Sequence, residues 1–143
     1  MKNLYYYLSA LFLVVFLVAC KAPAAQQKTT DITGKTWKLT ELNGQPIKLK
    51  NPKNNPYFKL NTDGMRYEGH AGCNGLGGTF EIKPEMMRIK FNQGMSTMMA
   101  CEDLDIENQF TKALLSADNY SVNGNTLTLN KARMAPLAKF VLQ

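Results

Sequence analysis

The chain has 143 residues, 45% of them hydrophobic and 20% charged, with a formal net charge of +6. That length bounds one ordinary domain with a single core, and the apolar-to-charged balance excludes wholesale disorder. The basic residues are scattered from Lys35 to Lys139 without the interleaved aromatics that nucleic-acid modules use, so no nucleic-acid partner is expected.

Residues 1–19 read MKNLYYYLSALFLVVFLVA. Lys2 gives a positive start, and Leu8 to Val18 is an apolar run shorter than the roughly 20 residues a spanning helix needs, the pattern of a secretion signal. Leu17-Val18-Ala19-Cys20 resembles the bacterial lipobox. That resemblance implies cleavage before Cys20, a diacylglycerol on its thiol and a further acyl chain such as palmitate on the new amine. Two or three chains anchor a protein stably where one does so marginally. Residues 20–34 are polar and Ala/Pro-rich, which predicts a flexible tether ahead of a domain at 35–143. The expected address is the bacterial cell envelope, with the membrane itself as a partner. Lys21 stands where an inner-membrane retention Asp would be, so the expectation is the outer membrane, facing the periplasm.

Thr36 to Leu42 alternates with period two, aiming Trp37, Leu39 and Leu42 at a core, and Asn43-Gly44 signals a turn. Lys48 to Pro56 reads as a loop. Tyr57–Asn61 and Met65–His70 read as a hairpin, followed by the glycine-crowded stretch Gly69 to Gly78. Thr79–Lys83 and Met86–Phe91 are two more strands, split by Pro84-Glu85. From Glu102 to Ala117 the period changes to 3.6, with Leu104, Ile106, Phe110, Ala113, Leu114 and Ala117 on one stripe and Glu102, Asp103 and Asp105 where a helix dipole favours acids. Tyr120–Val122, the Asn123-Gly124 turn and Thr126–Leu129 form a hairpin, and Leu137–Leu142 is a last strand. The predicted class is α+β and mainly β: a strongly curved or barrel-like antiparallel sheet with one inserted α-helix.

The centre of the chain carries a recognisable set of motifs. Trp37-Lys38-Leu39 opens the domain, then come Gly72-Cys73-Asn74 and Thr97-Met98-Met99-Ala100-Cys101, with Glu107 and Phe110 on the helix. This resembles the META domain of HslJ-like bacterial lipoproteins from about Thr36 to Gln143, with Trp37, Gly72, Cys73, Asn74, Thr97, Met98, Ala100 and Cys101 as the motif residues. The resemblance implies a compact antiparallel β structure with a helix. It also implies a heat shock protein of the envelope-stress kind, linked to novobiocin resistance. It brings no agreed enzymatic activity or ligand.

With Cys20 assigned to lipid, Cys73 and Cys101 remain. An even pair in an oxidising compartment reads first as a disulfide. Two alternatives use the same atoms: a zinc site with His70, which lacks a fourth ligand, and a catalytic thiol with His70 as base, which strand geometry disfavours. Met86, Met87, Met95, Met98 and Met99 form a dense group. Thioethers bind Cu(I), but methionines also fill irregular cores, and core packing is the expectation. Glu102, Asp103 and Asp105 are explained by the helix dipole rather than as an acid/base pair. No hydrolase, phosphate-loop or dinucleotide motif is present.

These readings converge on a lipid-anchored, non-enzymatic envelope lipoprotein with a stress-related or structural role, without cofactor or metal. The alternative is a module that binds an envelope protein, lipid or glycan in the open mouth of the curved sheet, lined by Tyr57, Phe58, Tyr67 and Phe80.

Overall fold

A computed structural model describes residues 31–132 and 135–143. The leader, the lipobox, Cys20 and the tether as far as residue 30 lie outside the described residues. The elements follow the order β1 (Thr36–Leu42), β2 (Gln45–Pro46), β3 (Tyr57–Asn61), β4 (Arg66–His70), β5 (Gly75–Lys83), β6 (Arg88–Asn92), α1 (Leu104–Ser116), β7 (Asn119–Asn123), β8 (Thr126–Asn130) and β9 (Ala138–Leu142). Every pairing is antiparallel. β1 pairs with both β3 and β9, so eight strands close into a barrel, and β2 pairs back on the end of β1.

Closure follows from the alternation of apolar residues. Phe58 and Leu60 of β3, Ile89 and Phe91 of β6, Leu127 and Leu129 of β8, and Ala138 and Phe140 of β9 are buried, while their neighbours face outward. In β1 the phase changes: Trp37 and Leu39 point inward, and so does Leu42, three residues further on. A bulge at Thr40 makes this possible, since the register against β9 shifts between Leu39 and Glu41. The Thr40 hydroxyl donates to the Lys139 carbonyl at 3.1 Å and holds the bulge.

The two-residue turn Asn43-Gly44 has positive φ at both positions, 51° and 77°, the geometry that turns β1 into β2. Gly75 to Gly78, expected as part of a glycine-rich bend, instead begins β5. An added Cβ on Gly78 would sit 2.5 Å from the Asn92 carbonyl and 2.7 Å from the Tyr67 ring, so the strands approach here because there is no side chain.

An eight-stranded barrel has an interior that side chains can fill or that can hold one small ligand. A run of ring contacts fills it: Phe110 of α1 meets Phe140 at 5.9 Å, Phe140 meets Phe58 at 4.9 Å, Phe58 meets Phe91 at 5.8 Å and Phe91 meets Tyr67 at 5.3 Å. The chain ahead of β1 belongs to this core, which corrects the boundary of the tether. Ile32 is fully buried, its carbonyl accepts the Trp37 indole N–H at 2.9 Å, and the Gly34 N–H donates to Leu60. At the other end, α1 lies over the places where β1 finishes, β4 turns into β5 and β9 begins. One seam is thin: β6 and β7 share the single pair Arg88–Asn119.

Candidate functional site

The motif residues of the two cysteine segments meet beside the first turns of α1. The chain leaves β4 at His70 and turns through Ala71–Asn74, with the Ala71 N–H donating to the Asn74 carbonyl at 2.8 Å. Gly72 has φ +118°, a conformation open in practice to glycine. The Gly72 N–H donates to His70 Nδ1 at 3.2 Å, which ties that imidazole to its own turn. A disulfide joins Cys73 to Cys101, with their Cα atoms 5.7 Å apart, and takes up both sulfurs that the zinc and thiol alternatives require.

Asn74 is 2% exposed and is the hub. Its Oδ1 accepts the Met99 N–H at 2.7 Å and the Thr97 hydroxyl at 2.8 Å. Its Nδ2 donates to the Met99 carbonyl at 3.0 Å and to Glu107 Oε1 at 2.8 Å. Glu107 Oε2 in turn accepts the main-chain N–H groups of Cys73 at 3.1 Å and Asn74 at 2.7 Å. Four residues earlier, and so one helical turn away on the same face, Asp103 does the same for another loop. It is 3% exposed, and its two oxygens accept the N–H groups of Lys50 and Asn51 at 2.8 and 3.1 Å. Buried polar atoms need such partners, and these have them. Asp103 therefore acts as a loop clamp beyond the dipole role expected for it. Glu102 and Asp105 are exposed.

What the hub holds is a loop. Gln93 to Glu102 is exposed throughout. Ser96 bridges to Leu76, and the Gly77 and Thr97 N–H groups bond to the Met95 and Gly75 carbonyls. Gly94 is pressed onto the Gly77 carbonyl and Gly78 backbone, where a Cβ has no place. The loop stands between two open depressions, one floored by Gly69, Gly75 and Gly77 with Tyr57 at its edge, the other between Met98–Ala100 and Leu104–Leu115 of α1.

Two expectations are corrected here. The methionines expected in the core are at the surface: Met86 is 63% exposed, Met95 83%, Met98 98% and Met99 67%, and of the group Met87 packs against the core. The aromatics expected to line one open mouth are divided. Phe58, Phe80 and Tyr67 are buried, with the Tyr67 hydroxyl donating to the Asn92 carbonyl, while Tyr57 is 39% exposed on the outer face. Closure of the sheet is the reason, because it turns the inward face of every strand into core. Asn74 stood among the motif residues, but its hub role had no sequence signal beyond its place beside Cys73. Glu107 interrupts the apolar stripe of the helix and could have been found as a polar residue on a buried face.

The META domain family model matches residues 30–143. Among solved structures, the chain is similar to one from Burkholderia xenovorans determined by NMR (TM-score 0.61, 19% identity, covering 87% of this chain and 98% of that one). It is also similar to a DUF4847 family protein from Bacteroides vulgatus ATCC 8482 (TM-score 0.58, 18% identity, covering 77% and 93%). A third similar structure, also solved by NMR, has a TM-score of 0.58 and 20% identity over 77% of this chain and 91% of that one. At these identities the likeness speaks for the fold. No curated protein matches the sequence.

Proposed function

The chain belongs to the META domain family, and from that premise we propose that it is a lipid-anchored, non-enzymatic lipoprotein of the bacterial envelope, facing the periplasm, whose working surface is the clamped loop Gln93–Glu102. The observation that carries this reading is the hub. Cys73, Asn74, Thr97, Cys101 and Glu107 are bonded to one another or to main chain, and what they hold in place is an exposed segment with three methionines. Groups engaged in this way support a holding role rather than acid/base or nucleophilic chemistry. Large apolar side chains held out in solvent mark a contact surface. The lipobox at Leu17–Cys20 supports the anchor, and the packed barrel interior favours the outer surface over a ligand inside the sheet.

The test is replacement of the cellular copy by variants, with survival under heat and novobiocin as the readout and palmitate labelling alongside. The intact chain incorporates palmitate and fractionates with membranes; Cys20→Ala does neither. Met95→Asp/Met98→Asp/Met99→Asp keeps the label and loses stress tolerance. An unlabelled wild-type chain overturns the anchor. Unaltered tolerance in the triple Asp variant overturns the loop as the working surface.

A further inference from the structure

We infer that Met95, Met98 and Met99 form a binding site for copper(I), a soft monovalent cation; this rests on the loop being the working surface and names its ligand. The three thioethers lie within five consecutive residues and are 83%, 98% and 67% exposed. Apolar side chains gain nothing from such exposure, whereas a thioether sulfur there is a free donor to a soft ion.

The backbone brings the three within reach of one another. Met95 is fixed through its carbonyl to Gly77, and Met99 through both its N–H and its carbonyl to Asn74. Gly77 lies in β5 and Asn74 in the turn that leads into it, and Met95 and Met99 are four residues apart, so their backbones lie within about 13 Å of each other even at full extension. Methionine side chains are long, unbranched and rotate about three bonds, so two of them can close on one ion across that gap. Met98 stands between the two fixed points and supplies the third sulfur.

Between Met95 and Met99 the other side-chain ligand atoms are the hydroxyls of Ser96 and Thr97, neutral hard oxygens that bind a soft ion poorly. Ser96 Oγ donates to the Gly75 and Thr97 carbonyls, and Thr97 Oγ1 donates to Asn74 Oδ1. The donor set is therefore neutral sulfur, which selects copper(I) over zinc, calcium or magnesium. A thioether carries no proton to be displaced, so uptake is independent of pH across the range in which histidine and thiol sites lose their metal. Binding forms sulfur–metal coordination only; no electron moves and the Cys73–Cys101 bond is untouched.

The experiment is anaerobic titration of the full chain in detergent with copper(I), in competition with a chromophoric copper(I) chelator, at pH 7.5 and 5.5. The wild type withdraws one copper(I) per chain equally at both pH values. Met95→Leu/Met98→Leu/Met99→Leu, which keeps the bulk of each side chain and the main-chain bonds to Asn74, withdraws at least tenfold less; a melting curve matching wild type shows that it is folded. No uptake by the wild type, equal uptake by the Leu variant, or uptake that fails at pH 5.5 overturns the assignment. The loop reading has its separate readout. Copper uptake absent, with tolerance lost in the Asp variant but kept in the Leu variant, overturns the metal site and leaves an apolar contact surface; tolerance kept in both variants overturns the loop as the working surface, and the titration alone decides the copper(I) site.

Discussion

Asn74 and Glu107 are 33 residues apart in sequence and joined twice in space: Asn74 Nδ2 donates to Glu107 Oε1 at 2.8 Å, and the Asn74 main-chain N–H donates to Glu107 Oε2 at 2.7 Å. The amide plane of Asn74 then presents its other atoms to Met99 and Thr97. One side chain thus ties the turn after β4, the methionine loop and the helix together.

The orientation of that amide gives the first expected outcome. Asn74→Asp replaces a donor by an acceptor opposite two acceptors, Glu107 Oε1 and the Met99 carbonyl. Each buried polar atom left without its partner costs about 1–3 kcal/mol. Urea unfolding should show a loss at the upper end of that range or beyond, and limited proteolysis should cut within 93–101 in the variant before it cuts the wild type. An unchanged midpoint and cleavage pattern contradict the hub.

Glu107→Gln tests the other half. Its oxygens accept three N–H groups, and an amide offers one oxygen and one NH2 in their place. The expected loss is about 1–3 kcal/mol by the same unpaired-atom argument. Asp105→Asn, on the exposed side of the helix, should change stability by under about 0.5 kcal/mol. Equal effects at the two positions in urea titrations would remove the distinction.

The disulfide closes a loop of 28 residues' separation. Chain entropy assigns such a link about 3–4 kcal/mol. Cys73→Ser/Cys101→Ser should lower stability by that order and loosen the methionine loop while the ring-packed core stays native in its near-ultraviolet spectrum. Mass spectrometry of the unreduced chain, two hydrogens lighter than the dithiol, checks the bond itself.

Glycine positions separate close approach from turn geometry. Gly94→Ala drives a Cβ into the Gly77 carbonyl and the Gly78 backbone, and overpacking of this kind costs about 1–3 kcal/mol or more. Gly34→Ala meets no atom but must hold φ +68°, at about 1–2 kcal/mol. Gly94→Ala should also shift amide resonances of both β5 and the loop, whereas Gly34→Ala should disturb its own neighbourhood alone.

Asp118 governs a pH dependence. The Ala132 N–H and the Asn119 side chain, with Arg88 beside it, hold its carboxyl below the ordinary 3.8. A group whose folded value is depressed adds stability above its unfolded value and loses it as pH falls through the folded one. Thermal melts should therefore show wild type and Asp118→Asn separated by a constant amount above pH 3.8 and converging as pH falls below it. Curves that remain parallel through acid pH would remove this role.

Much of the architecture was legible in the sequence, because alternation and the 3.6 period report burial directly. Trp37 and Leu39, and Phe110, Ala113 and Leu114, all face the core as the pattern predicts. The inward turn of Leu42 needed the Thr40 bulge, which no pattern announces. Leu104 was placed on the stripe and is 38% exposed, whereas Glu107 is buried in its stead. A helix face made partly of a hydrogen-bonded carboxyl has no apolar signature. The methionines were illegible for a related reason. Their composition suits a core, and the bonds of Met99 to Asn74 and of Met95 to Gly77 hold their loop outside.

The thin seam between β6 and β7 bears on how the molecule behaves in company. Of the paired strands that close the cylinder, β6 and β7 share the fewest rungs, Arg88 facing Asn119, with the Tyr120 N–H bonded to the Met87 carbonyl beside it. Once parted there, the cylinder is an open ribbon with two bare backbone margins, on which strands of other molecules can add without limit. The Arg88–Asp118 ion pair and the Ile89 N–H bonded to the Asp118 carbonyl bracket that rung. This small corner is thus what keeps those two margins covered.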